Sequence, residues 1–351
     1  MSEFPIDEIP IPATLQSAGA ADFIGALEVS RAVEEIGYGT PDLGYEPDEE
    51  LPLFQNPHEP RRMLVARAGG AIVGCATYET IADTDTAWIL VEVLPEHRGR
   101  GIGTALADAL EALSAGEGRT KLLVYTPIRD VPGARLAPPT GFGSISVTPD
   151  VTFLQRRGYS LEQVERLSRL ALPVADLEAR LAAATVRSGP DYVLRFWSDR
   201  TPERWRADYA YLGTRMSTDA PSAGLEEPEN PWSVERVIES DDRNDLSPRT
   251  RLAVAVEHLP TGRLVGFSVL SVPPQPARAV DQYATLVLRE HRGHALGMLM
   301  KLGNLDRLAR VAPGHPSVLT FNAEENRAML DVNEAIGFVG IAKESAWRKD
   351  I

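Results

Sequence analysis

The sequence contains a single cysteine among its 351 residues, Cys75, so no internal disulfide is available and no oxidising compartment is implied. No apolar run approaches the roughly 18 residues that would cross a bilayer, so no membrane partner is expected. Basic charge is also scarce: 36 Lys and Arg face 50 Asp and Glu, for a net charge of −14. Nonspecific affinity for nucleic acid comes mainly from Lys and Arg neutralising phosphates, so no nucleic-acid partner is expected. The opening segment MSEFPIDEIPIP lacks the basic start and apolar core of a signal peptide. The 6 histidines and one cysteine show no metal-ligand spacing, so no metal is expected either. The expectation is a cytoplasmic protein, monomer or homodimer.

What is present is ordinary for a globular chain: 43% hydrophobic and 25% charged residues. The length suggests two domains. The acidity suits a cationic small substrate, because acidic clefts concentrate cations; it also fits plain solubility.

The chain repeats itself. RRMLVARAGGAIVGCATYE (61–79) and TRLAVAVEHLPTGRLVGFSVLS (250–271) each read as two strands joined by a tight turn, and each carries Val-Gly after that turn, at Val73–Gly74 and Val265–Gly266. A third strand follows in each half (87–94 and 282–288), then a glycine-bearing loop, a helix (104 to about 114 and 298 to about 311) and a strand (121–127 and 317–322). A short helical segment ending at Gly158 or Gly337 closes each half. Equivalent positions lie 192–194 residues apart through the strands and loop but 179 apart at the closing glycines, so the first half carries an insertion, best placed at IRDVPGARLAPPTGFGSIS (128–146). The expected organisation is a domain over 1–172, a helical linker over 173–190 and a second domain over 191–351.

The loops are LPEHRGRGIGTALADAL (94–110) and LREHRGHALGMLMKLGNL (288–305). A strand leading through glycines into a helix start is built to hold an anion, since the first helical N–H groups are unpaired and the helix dipole is positive there. The Lys-Ser/Thr of a Walker A loop is missing after Gly103, and a G-x-G-x-x-G Rossmann spacing would need glycine at Thr104. Two copies in equivalent places argue against ligand-free turns.

The pattern [QR]-x-x-G-x-[GA] after a strand resembles motif A of the GNAT N-acetyltransferases. Arg98, Gly101 and Gly103 match it; Arg292 and Gly297 match in the second half, where Ala295 replaces the middle glycine. AIGF and RRGY resemble the family's closing signature. The second copy resembles tandem GNAT proteins of actinobacteria, mycothiol-synthase-like or antibiotic-acetyltransferase-like. The resemblance implies an α/β (α+β) chain of two tandem GNAT folds, each a mixed, mostly antiparallel central sheet flanked by helices.

It further implies acetyl-CoA as the acyl donor and the primary amine of a small molecule as the acceptor, which the acidity makes cationic. Loop N–H groups would hold the pyrophosphate: Arg98, Gly99, Arg100, Gly101, Ile102, Gly103 and Thr104 in half one, and Arg292, Gly293, His294, Ala295, Leu296 and Gly297 in half two. The preceding strands would hold the pantetheine arm through Val91, Glu92 and Val93, and through Thr285, Leu286 and Val287. Asn322 and Asn326 resemble positions near that arm, or serve as caps. Candidate bases are Asp281 at a strand start and Glu92, which alternation turns away from the valines beside it. A tyrosine often stands four residues before the closing glycine as general acid; here that position holds Asn333 or Leu154, and Asn333 is left to position a water. His97, His291 and His294 read as loop residues rather than bases. Met216, Asp219 and Trp232, in or beside the acidic segment 217–231, are expected over the acceptor. Half one has the fuller loop and half two the fuller remainder, so the chemistry is expected in half two. Two other readings stay open: a non-catalytic acyl-CoA-binding module, and an aminoacyl-tRNA-dependent transferase, which the charge opposes.

Overall fold

A computed structural model describes residues 4–351. From the N-terminus the chain forms β1 (Ile6–Ile9), α1 (Ala20–Tyr38), α2 (Pro47–Phe54), β2 (Arg61–Ala68), β3 (Ala71–Thr80), β4 (Thr86–Val93), α3 (Ile102–Gly116), β5 (Lys121–Ile128), β6 (Arg135–Leu136), β7 (Ile145–Ser146), α4 (Pro149–Arg156) and β8 (Ser160–Ala171). It continues through α5 (Leu177–Ser188), β9 (Tyr192–Ser198), α6 (Arg206–Asp219), α7 (Val234–Asn244), β10 (Thr250–His258), β11 (Arg263–Val272), β12 (Val280–Val287), α8 (Leu296–Val311), β13 (Ser317–Ala323), α9 (Arg327–Ile336) and β14 (Val339–Asp350). Among the described residues, no helix is long and apolar enough to cross a membrane.

The chain divides into two units, and not linearly in sequence. The first holds residues 1–165, 222–228 and 342–351; the second holds 166–221 and 229–341. In the first unit the sheet runs β1-β2-β3-β4-β5-β14. Its pairs are antiparallel except β4 with β5. In the second unit β13-β12-β11-β10-β9 follow the same scheme, with β12 and β13 the parallel pair. Each sheet is mixed and mostly antiparallel, with helices against it.

The repeated Val-Gly at the start of β3 and β11 has a packing cause. A Cβ on Gly74 would sit 3.1 Å from the Glu92 carbonyl oxygen and 3.3 Å from Leu106 Cδ1 of α3. A Cβ on Gly266 would sit 2.7 Å from the Leu286 carbonyl oxygen and 3.2 Å from Met300 Cε of α8. Each glycine lets the loop-bearing helix lie directly on the strand hairpin. The buried faces of these helices (Ile102, Leu106 and Leu110; Leu296, Leu299 and Met300) then seal the cores.

In each unit the parallel pair separates. β4 pairs with β5 only from Thr86 to Trp88, against Lys121 to Leu123. β12 pairs with β13 only at Val280 and Asp281. Beyond those points the ladder ends, and the C-terminal ends of both strands approach the loop unpaired on that side.

Candidate active site

The first glycine loop enters α3 through Gly99 and Gly101, at φ 74° and 85°, a region that costs non-glycine residues about 1–2 kcal/mol. Open space surrounds both, so conformation rather than crowding calls for glycine. Gly101 is the N-cap of α3, and no side chain caps the helix start. Its first N–H groups therefore point outward without a side-chain acceptor, as an anion cradle requires. Ala295 holds the equivalent left-handed conformation at φ 56°, so the second loop keeps the backbone shape without the glycine. Both motif arginines do the same local work: Arg98 Nε donates to the Val93 carbonyl at 2.9 Å, and Arg292 Nε to the Val287 carbonyl at 3.1 Å. They clamp the loop to the end of the strand before it.

A cleft of about 730 Å³ opens where β4 and β5 part. Val91, Glu92 and Val93 line it, together with Arg98, Gly99, Gly101, Gly103 and Thr104 of the loop. α1 closes one end with Val33, Ile36 and Gly37, and α4 contributes Phe153, Leu154 and Arg157. It joins an anion cradle to a mostly apolar channel, the shape that a nucleotide carrying a long thioester arm requires. Leu154 lies in the wall, so the position that would hold the family's tyrosine offers no acid. Tyr159 lines the cleft too, but its hydroxyl donates to Glu111 at 3.1 Å, and burial pushes its pKa up.

Glu92 is buried, and its side chain turns toward Cys75, whose thiol donates to Oε2 at 3.7 Å, and toward the Ser30 hydroxyl of α1. Burial pushes its pKa up to about 7, against the lowering hydrogen bonds from Ser30 and Cys75. It belongs to an acidic group that no motif announces. Glu34 on α1 is raised well above the usual carboxylate range by burial and by Glu92, Glu50 and Glu344. Glu344 on β14 is pushed up to about 7 by burial and accepts from the Tyr38 hydroxyl. Tyr125 donates to Glu227 at 2.5 Å. A second cleft of about 230 Å³, bordered by Ser30, Glu50, Glu79 and Tyr125, shares Ile89 and Leu90 of β4 with the first. Both clefts therefore border the strand that carries Glu92.

The second unit differs at the matching place. Lys301 of α8 stands where Ala107 of α3 lines the first cleft, 194 residues earlier like Arg98 before Arg292. Its side chain is buried with Nζ 5.6 Å from the centre of the Phe338 ring, and burial lowers its pKa to about 7. At the loop, the Asp219 carboxylate lies 3.7 Å from both Arg289 and Arg292 and pairs with Arg215. An anion supplied by the chain itself thus lies against the arginines at the second loop.

The other anticipated residues have structural partners. Asp281 pairs with Arg249 at 2.6 Å, at the point where β12 and β13 are still joined. Asn326 caps α9, accepting from the Met329 N–H at 3.3 Å. Asn333 donates to Asn322 at 2.6 Å, while its own Oδ1 is buried without a partner. Thr285 Oγ1 shares a hydrogen bond with Ser268. Gly293 and Gly297 hold the second loop and helix start, with open space around both. Trp232 accepts the Arg236 guanidinium over its ring and, like Met216, packs against the second core. Asp219, Trp232 and Met216 do not border either cleft of the first unit. Sequence reasoning missed Glu34, Tyr38 and Glu344 because α1 and β14 carry no motif; only their juxtaposition makes them part of a site.

Residues 30–135 match the Acetyltransferase (GNAT) family model. The chain is 27% identical to a mycothiol acetyltransferase of Frankia casuarinae, over 92% of this chain and 82% of that protein. It is 26% identical to a mycothiol acetyltransferase of Geodermatophilus obscurus, over 95% and 96%. Its fold matches a tandem GNAT protein from the clavulanic acid biosynthesis pathway, with a TM-score of 0.73 and 23% identity over 99% and 98% of the two chains. A GCN5-related N-acetyltransferase from Sphaerobacter thermophilus follows at TM-score 0.62 and 15% identity, over 99% and 95%.

Proposed function

We propose, from the premise that the chain belongs to the GNAT acetyltransferases and takes acetyl from acetyl-CoA, that it acetylates a primary amine of a small cationic molecule within its first unit. The observation that carries this reading is the cleft between β4 and β5, continuous from the glycine loop to Glu92. The donor's pyrophosphate fits the N–H groups of Gly99 to Thr104, and its arm fits the unpaired edge of Val91 to Val93. A strand N–H there stabilises the negative charge that develops on the thioester oxygen.

The acceptor nitrogen must be neutral to attack. Glu92, with a pKa near 7, is partly ionised at neutral pH and takes the ammonium proton, directly or through a water. The nitrogen lone pair forms the C–N bond, the C–S bond breaks, and coenzyme A leaves as thiolate, an acceptable leaving group because thiol pKa values lie near about 8.5. The clustered acidic side chains of Glu34, Glu50 and Glu344 suit a cationic acceptor, whose charge would offset the mutual repulsion that holds the Glu34 proton on. The mycothiol-type acceptor for which the relatives are named heads the panel to be assayed.

A second reading puts the chemistry in the second unit. The β11–β12 ladder shifts register between Val269 and Leu270, skipping Tyr283, and such irregularities often border active sites. The orphaned Asn333 Oδ1 points the same way. Lys301 and Asp219 oppose it. Release of free thiol from acetyl-CoA, measured over a panel of amines, separates the two readings. The first-unit reading expects turnover that Gly101→Glu abolishes and Gly297→Glu spares; the reverse pattern overturns it.

A further inference from the structure

We propose that Arg129, on the insertion that distinguishes the first unit, grips a phosphate at the nucleotide end of the acetyl donor. This rests on the reading that the first cleft binds acetyl-CoA. The second unit passes from β13 to α9 in residues 324–326, whereas the first takes residues 129–148 between β5 and α4. That insertion is held in place: β6 pairs with β7, Ser146 Oγ accepts from the Val131 N–H at 3.0 Å, and Lys343 donates to the Ser144 carbonyl at 2.9 Å. Arg129 follows the last residue of β5 and lines the cleft, as do Val131 and Val147 of the same insertion. Because β4 and β5 run parallel, the end of β5 lies at the same end of the sheet as the glycine loop.

Three arginines border this cleft, and two are already engaged. Arg98 holds the Val93 carbonyl and lies 3.8 Å from Asp150. Arg157 is paired with Asp108 at 2.7 Å and Glu111 at 3.1 Å. Arg129 has no hydrogen bond or ion pair with the described residues and is exposed to the cleft mouth. A planar guanidinium free of counter-ions, in the wall of the cleft that the glycine loop borders, matches a phosphate in charge and geometry. In a chain of net charge −14, a cation left unpaired at this mouth is otherwise unaccounted for.

Steady-state kinetics of the full chain with donors of decreasing phosphate content tests this. Arg129→Ala is expected to raise KM for acetyl-CoA about tenfold, the size of one charge-assisted hydrogen bond, with Arg129→Lys falling between it and wild type. Acetyl-pantetheine, which has no nucleotide, is expected to give the same kcat/KM in both. With 3′-dephospho-acetyl-CoA, a tenfold difference that persists assigns Arg129 to the diphosphate, and one that vanishes assigns it to the 3′-phosphate. Equal losses with acetyl-CoA and acetyl-pantetheine, or no change with acetyl-CoA, overturn the proposal. Failure of the wild type to turn over acetyl-CoA, or its survival of Gly101→Glu, refutes the first-unit reading instead.

Discussion

Glu92 shows how one position acquires chemistry from its surroundings. Alternation along β4 turns its side chain from the α3 face toward α1, where Ser30 and Cys75 meet it. Desolvation disfavours the charged carboxylate and outweighs both hydrogen bonds. A base works only when deprotonated, so activity should rise with pH through about 7 as Glu92 ionises. Glu92→Gln should lower kcat on the order of 100-fold, remove that limb of the pH profile and leave the acetyl-CoA KM nearly unchanged. The readout is kcat against pH for both proteins. An unchanged limb in the variant would assign the proton to another group, Glu34 and Glu344 being the neighbours with raised values. The candidacy of Glu92 was legible in the sequence because strand periodicity alone fixes its face. Its partners were not: Ser30 and Glu34 lie on α1, far from β4 in sequence, and no local rule brings them together.

At the scale of elements, the strand hairpins, the loops and the helices after them follow from local signals, and the structure places them within a few residues of the expected bounds. Positive-φ glycines, alternating apolar positions and helix periodicity all act over short spans. The repeated Val-Gly also has a local signature, but its meaning is tertiary: the glycine is a contact surface for α3 or α8. Gly266→Ala places a Cβ against a backbone oxygen at 2.7 Å, and Gly74→Ala at 3.1 Å. The first should destabilise the protein by about 1–3 kcal/mol and the second by less. Denaturant unfolding of the two variants checks the order, and equal costs would contradict the packing account. The insertion was legible from the change in offset between the halves, whereas the open cation it carries was not, since pairing is settled only by what surrounds a side chain.

Across the whole molecule, duplication accounts for both the resemblance of the halves and their divergence. The two units keep the same sheet scheme, the same parting of the parallel strands, and the same arginine clamp on the strand before the loop. They differ where a ligand would sit. The first unit has small Ala107 and an open cleft; the second has Lys301 in that place and Asp219 against the loop arginines. Motif matching favoured the second half through asparagines at family positions; Asn326 also caps a helix and Asn322 accepts from Asn333. The proposal for the first unit instead weighs side-chain volume at one helix position, and volume is invisible to a motif. The central claim is that one unit, the first, binds the donor. Calorimetric titration of acetyl-CoA into the full chain and its Gly101→Glu and Gly297→Glu variants tests it most directly. The account predicts one site per chain, lost in Gly101→Glu and retained in Gly297→Glu; two sites per chain, or binding lost only in Gly297→Glu, would contradict it.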